Sequence, residues 1–124
     1  MKHVLAIVLI LVLALGITSA QEKKMSKEMT VTGEVVDVAC YLAGDAKGPD
    51  HVACATACAK AGGALGILTA DGKLYVSLLP DDHKKSPNHL LMDFIGKNVE
   101  AKGYTRVKGG VNGLMIRSVA ETTM

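Results

Sequence analysis

The sequence predicts a mainly β domain, a small OB-like barrel with two short helices in the order β-α-β-β-α-β-β and a helical insert after the first strand. Three observations predict it. Five stretches rich in β-branched or alternating apolar residues are separated by turn signals. An Ala-rich helical segment interrupts the first and second of them. A second helical pattern, Leu90, Leu91, Phe94 and Ile95, lies between the third and fourth. Five strands with a helix between the third and fourth follow the order of an OB-type barrel. A different small α+β sheet is the alternative, and either fold hosts many functions.

The chain opens with a polar Lys2-His3 start, a nearly unbroken apolar run from Val4 to Ile17, and then Thr18-Ser19-Ala20 before the polar Gln21-Glu22-Lys23-Lys24. This is the layout of a secretory signal peptide, residues 1–20, cleaved after Ala20. The run falls short of the roughly 20 residues a membrane-spanning helix needs. No Cys lies near the cut to carry a lipid, so no stable membrane anchor is expected after cleavage. The expectation is an exported protein, periplasmic or secreted. Residues 21–29 read as a charged, flexible tether, and 30–124 as a single domain with the insert at 40–63.

Thr30 to Cys40 reads as the first strand, bulged or strongly bent near Val35-Val36, where the alternation slips. Gly44 to Pro49 is a loop. Pro49 at the first helical position and Asp50 at the positive end start a helix. It runs to Lys60 or Ala61 and stops at Gly62-Gly63. Leu65 to Thr69 and Lys73 to Leu79 flank the Asp71-Gly72 turn as a hairpin, with Leu74, Val76 and Leu78 on one face. Ser86-Pro87 caps the second helix, which Gly96 closes. Asn98 to Thr105 and Leu114 to Ala120 are the last two strands.

Composition excludes several functions. The 14 basic and 12 acidic residues are balanced, so no electrostatic partner is indicated. With no Trp, one Phe and three Tyr there is no stacking platform for single-stranded nucleic acid. At 124 residues an ordinary multi-substrate enzyme is not expected. No Gly-rich phosphate loop, Ser-His-Asp arrangement or C-x-x-C motif occurs, and no catalytic residue is assigned.

The chemistry concentrates in Cys40, His51, Cys54 and Cys58, spaced C-x10-H-x2-C-x3-C. Cys3His is one of the structural zinc compositions, and thiolates also suit monovalent copper. At about 100° per residue, His51, Cys54 and Cys58 share a sector of roughly 60° on an ideal helix. Cys40, read as the end of the preceding strand, can fold over that face. His51 stands seven residues from Cys58, about 10.5 Å along the axis. It is therefore either the fourth ligand or a partner of the ligands.

Other readings of the same thiols stand beside this one. In an oxidising compartment a disulfide plus one free thiol is the alternative. A bridge from Cys40 to Cys54 or Cys58 then fits better than Cys54 to Cys58, whose Cβ vectors on successive turns are poorly aimed. A thiol–disulfide protein would use Cys54, near the helix N-terminus, as its reactive thiol and would form a mixed disulfide with an exported protein partner. Small buried apolar cysteines, or a binding module that a cluster merely stiffens, are the bland possibilities.

The stretch GEVVDVACYL, followed by HVACATACAKAGGALGIL and the hairpin DGKLYV, resembles a group of small exported bacterial proteins. These share a strand ending in Cys-Tyr-Leu, then H-x2-C-A-x2-C-A, then a Gly-containing strand. The resemblance covers about Val31 to Val76, and more loosely the Gly-Lys-x-Val-x-x-x-Gly strand. It implies an exported barrel-like domain with a Cys/His cluster and brings no activity with it. Gly63-Ala64 departs from the group, where Gly-Pro or a similar pair is expected.

Weaker signals remain. Asp81, Asp82, His83 and His89 flank a loop that suits solvent better than a second ion. Met25 and Met29 offer thioethers to copper but read as tail. Arg106 and Lys108 sit in the last hairpin, where OB folds often bind ligands. Tyr41, beside Cys40, reads as packed against the helix with its hydroxyl near water.

Overall fold

A computed structural model describes residues 26–80 and 83–123. The expected signal peptide and most of the expected tether lie outside the described residues. Five strands close a barrel in the order β1-β2-β3-β5-β4. They are β1 (Glu28–Asp37), β2 (Leu65–Leu68), β3 (Leu74–Ser77), β4 (Asn98–Lys108) and β5 (Val111–Glu121). All pairs are antiparallel except β3 with β5. This is the closed five-stranded barrel the sequence predicts, with a helix directly after the first strand.

Closure depends on the bend in β1. Its first part pairs with β4, from Glu28 opposite Tyr104 to Glu34 opposite Asn98. Its last part pairs with β2, from Glu34 opposite Leu68 to Asp37 opposite Leu65. Glu34 belongs to both ladders. Past it Val35, Val36 and Asp37 are all buried in succession, which is the slip in alternation that the sequence shows. β1 begins at Glu28, two residues before the expected start at Thr30: Met29 pairs with Gly103, and Ser26 Oγ donates to the Thr105 carbonyl.

The core fills the barrel with Val31, Val35, Leu65, Ile67, Val99 and Leu114, each at most 3% exposed. At about 25 cal/mol per Å² of apolar surface removed from water, such residues are the main source of stability. Leu74, Val76 and Leu78 share one face, as expected, and it is the less buried one: they are half-buried, while Tyr75 and Ser77 on the other side are buried. The buried Ser77 hydroxyl is tolerated because it donates to the Leu65 carbonyl at 2.8 Å.

Two further expectations are corrected. The first strand stops at Asp37, and Val38–Gly44 forms a helix, α1, so Cys40 lies on a helix and not at a strand end. Asp37 caps α1 by accepting the Cys40 N–H at 2.7 Å, which satisfies one of the free donors of the first turn. The second short helix, α2 (Val52–Lys60), also lies in the insert, extending a single 3-10 turn over Pro49–His51.

Between β3 and β4, where a second amphipathic helix is expected, the chain forms turns and one 3-10 turn, Met92–Phe94. The apolar positions still point inward, with Leu91 at 0% and Ile95 at 5% exposed. A regular helix is lost to Asn88, which is drawn into the interior. Its Oδ1 accepts the Leu65 N–H at 2.9 Å and the Ser77 hydroxyl at 3.2 Å, and its Nδ2 donates to the Gly63 carbonyl at 2.7 Å.

Candidate metal centre

The insert between β1 and β2 presents its ligand-type side chains on one side. Ala55 and Ala59, one turn apart on α2, are buried toward the core. Cys54 and Cys58 each precede one of these alanines, so they sit at the edge of the buried face, Cys54 exposed and Cys58 half-buried. Gly96 sets how closely α2 approaches the barrel. It has a left-handed φ of 76°, and a Cβ there would come within 2.5 Å of Val52 Cγ2.

Ligand atoms from these elements converge in two overlapping groups. Cys40 Sγ, a ring nitrogen of His51 and Cys54 Sγ lie within 4.8 Å of one another. A carboxylate oxygen of Asp37, Cys40 Sγ and Cys58 Sγ do the same. Sulfurs of a tetrahedral zinc stand about 3.8 Å apart for bonds of about 2.3 Å. Closure onto an ion therefore asks for each separation to shorten by at most about 1 Å. All four predicted residues are brought together, with Cys40 common to both groups and Cys58 in the group without His51. His51 lies on the 3-10 turn and Cys58 in the second half of α2.

Asp37 is the residue that sequence reasoning missed. It is 1% exposed. Its Oδ1 caps α1, while Oδ2 is buried and receives no N–H or O–H hydrogen bond. His51 Nε2 is likewise buried without a partner. Two buried polar atoms without partners beside three thiols fit a metal ion, since buried polar groups are otherwise paired. Both residues also line a void of about 10 Å³. No cysteine lines that void. Gly63 lies close to the ligand group: a Cβ there would lie 2.9 Å from the Cys58 carbonyl and 3.4 Å from Asp37 Oδ2. The signal in the sequence was an acidic residue three before Cys40, the spacing of a helix cap.

Without an ion Cys40 and Cys58 hold their protons. Cys40 is pushed up to about 12, first because the Asp37 carboxylate favours the thiol by hydrogen bonding, then by burial, then by the charges of Asp37, Cys58 and Cys54. Cys58 is also raised above 9.0, first by burial and then by Cys54. A divalent ion inverts this balance, because thiolates bind it and leave their protons to solvent.

The weaker candidates lie elsewhere. His83 is exposed, and Asp81 and Asp82 lie outside the described residues. His89 Nδ1 faces the Ser86 carbonyl at 2.7 Å. Met29 is part of β1, and Met25 lies outside the described residues. Lys108 is exposed at the β4–β5 turn and Arg106 is half-buried on β4. Tyr41 is half-buried and lines a separate cleft of about 280 Å³ with Thr32, Glu34, Lys47, Thr69 and Asn98. All three cysteines are free thiols. Among the described residues no helix is long and apolar enough to cross a membrane.

Comparison of the chain with protein-family models, with curated proteins and with solved structures gives no match. The functional reading is therefore built on the chemistry of these side chains.

Proposed function

We propose that this chain is an exported, non-catalytic domain that binds a borderline or soft metal ion, zinc or monovalent copper, through Cys40, Cys54, Cys58 and His51. The observation that carries the reading is the convergence of ligand atoms from three separate elements, α1, the 3-10 turn and α2, onto Cys40. Export is supported by the apolar run and small residues before Gln21.

The ion would clip the insert together. α1 is seven residues long and buries none of them. A helix of this length is unstable alone in water. Coordination of Cys40 together with Cys54 fastens it to α2, in the manner of a structural zinc site. The exposed Cys54 leaves one side of the site open to solvent, which suits exchange of the ion with a partner.

The test is to isolate the processed protein from its export compartment and measure intact mass and metal content under non-denaturing conditions. Metal bound to the chain, with three alkylatable thiols after denaturation, is the expected result. No metal, a mass about 2 Da low and a single free thiol would overturn it.

That outcome would favour a second reading, a thiol–disulfide protein. Its supporting observation is the exposure of Cys54 beside two other thiols. Trapping of an exported partner by one Cys→Ser variant would establish it.

A further inference from the structure

We propose that the cluster is a two-ion site, in which Cys40 Sγ bridges two divalent ions of the zinc class. One ion is held by Cys40, His51 and Cys54. The other is held by Cys40, Asp37 and Cys58. This rests on the metal-binding reading above and extends it in ion number, ligand set and choice of metal.

Four observations carry the inference. The ligand atoms form two groups of three that share one atom, Cys40 Sγ. Each group includes a residue with a buried polar atom that lacks a partner: His51 Nε2 in the first, Asp37 Oδ2 in the second. A single ion satisfies one group and leaves the other residue's buried atom unpaired, which is costly for a carboxylate that is 1% exposed.

The third observation is placement. No group of converging ligand atoms holds both His51, on the 3-10 turn, and Cys58, in the second half of α2. Two ions let both residues bind, because His51 and Cys58 then belong to different ions.

The fourth is charge and donor type. Three thiolates and the Asp37 carboxylate carry four negative charges, which two divalent ions neutralise and one leaves in excess. Zinc accepts sulfur, imidazole nitrogen and carboxylate oxygen alike. Monovalent copper selects thiolates and has no preference for a carboxylate. Asp37 therefore points to zinc. Each ion has three protein donors and one open position, which a water or an incoming small ligand takes.

The experiment is a titration of the reduced, metal-free protein with zinc alone, read by native mass spectrometry and by competition with a chromophoric chelator. Two zinc ions per chain are expected, with a zinc–zinc distance of about 3.5–4 Å by X-ray absorption. Asp37→Asn keeps the helix cap, because Asn caps as well as Asp. It should weaken the second ion by at least about tenfold, the usual scale for loss of a supporting group, and leave the first nearly unchanged. Cys54→Ser and Cys58→Ser should each retain one ion, and Cys40→Ser should lose both.

One ion in the wild type, weakened alike by Cys54→Ser and Cys58→Ser, would overturn the pair and leave the single-ion reading standing. Two ions with affinities unmoved by Asp37→Asn would overturn the ligand assignment. No zinc at all would overturn the two-ion site and leave the metal-binding reading only its monovalent-copper form.

Discussion

Asp37 and Cys40 are tied together twice: Asp37 Oδ1 accepts the Cys40 N–H at 2.7 Å, and the same carboxylate holds the Cys40 thiol in its protonated form. One side chain thus starts the helix and sets the acidity of the thiol that helix carries. Asp37→Ala removes the cap and should lower the stability of the metal-free protein by about 1 kcal/mol. Asp37→Asn should not lower it. Urea unfolding of the two variants in chelator gives the comparison.

The pH dependence follows from Cys40. Its value in the fold, about 12, lies above the ordinary 9.0 of a thiol. Its contribution to the stability of the metal-free protein is therefore complete below pH 9 and is lost as the pH climbs toward 12. Metal uptake has the opposite sense. Cys40 and Cys58 must each release a proton, so zinc affinity should rise with pH by about tenfold per unit for each thiol that binds. Competition titrations between pH 6 and 8 measure the slope, and a flat profile would show that thiolates are not the ligands.

Removal of the metal should loosen the insert and spare the barrel. Amide exchange across 38–62 is expected to accelerate in chelator, while β4 and β5, paired along most of their lengths, stay protected. Unchanged exchange in the insert after verified metal loss would sink the structural role.

Gly63→Ala tests the close approach at Cys58. Its Cβ would press on the Cys58 carbonyl at 2.9 Å, which is backbone and cannot rotate away. The end of α2 should shift, weakening zinc more than it weakens the fold. The same substitution at Gly44, whose Cβ would meet nothing within 4 Å and whose φ is not left-handed, is the control without a clash.

Asn88→Ala should cost about 1–3 kcal/mol, the penalty for leaving buried groups unsatisfied, because the Leu65 N–H loses its acceptor. Thermal melting of the metal-free variant reads this directly. Zinc binding should suffer less, because Asn88 reaches the site only through the Gly63 carbonyl.

The parts of this fold legible in the sequence are those fixed by local pattern. The Asp71-Gly72 turn, the bend after Glu34 and the two long final strands are all present. The parts that were not legible depend on partners distant in the chain. Ser77 points inward because Leu65 and Asn88 receive its hydroxyl, and no alternation rule contains that information. Asn88 unwinds an otherwise helical apolar pattern because it serves Gly63 and Leu65, at least 23 residues away. At the site, the spacing of His51, Cys54 and Cys58 points to the insert on which the ligand atoms converge. Asp37 escaped because a carboxylate among valines reads as a strand until the helix it caps is seen.

α1 closes none of its side chains into the core, and this separates two clocks in the molecule. The barrel, with α2 packed on it through Ala55 and Ala59, should open far less often than α1, which can detach and re-form by breaking its own few contacts. On the proposed metal-binding reading, exchange of an ion at Cys40 would follow that local opening, and substitutions in α1 would tune its rate without altering the lifetime of the barrel.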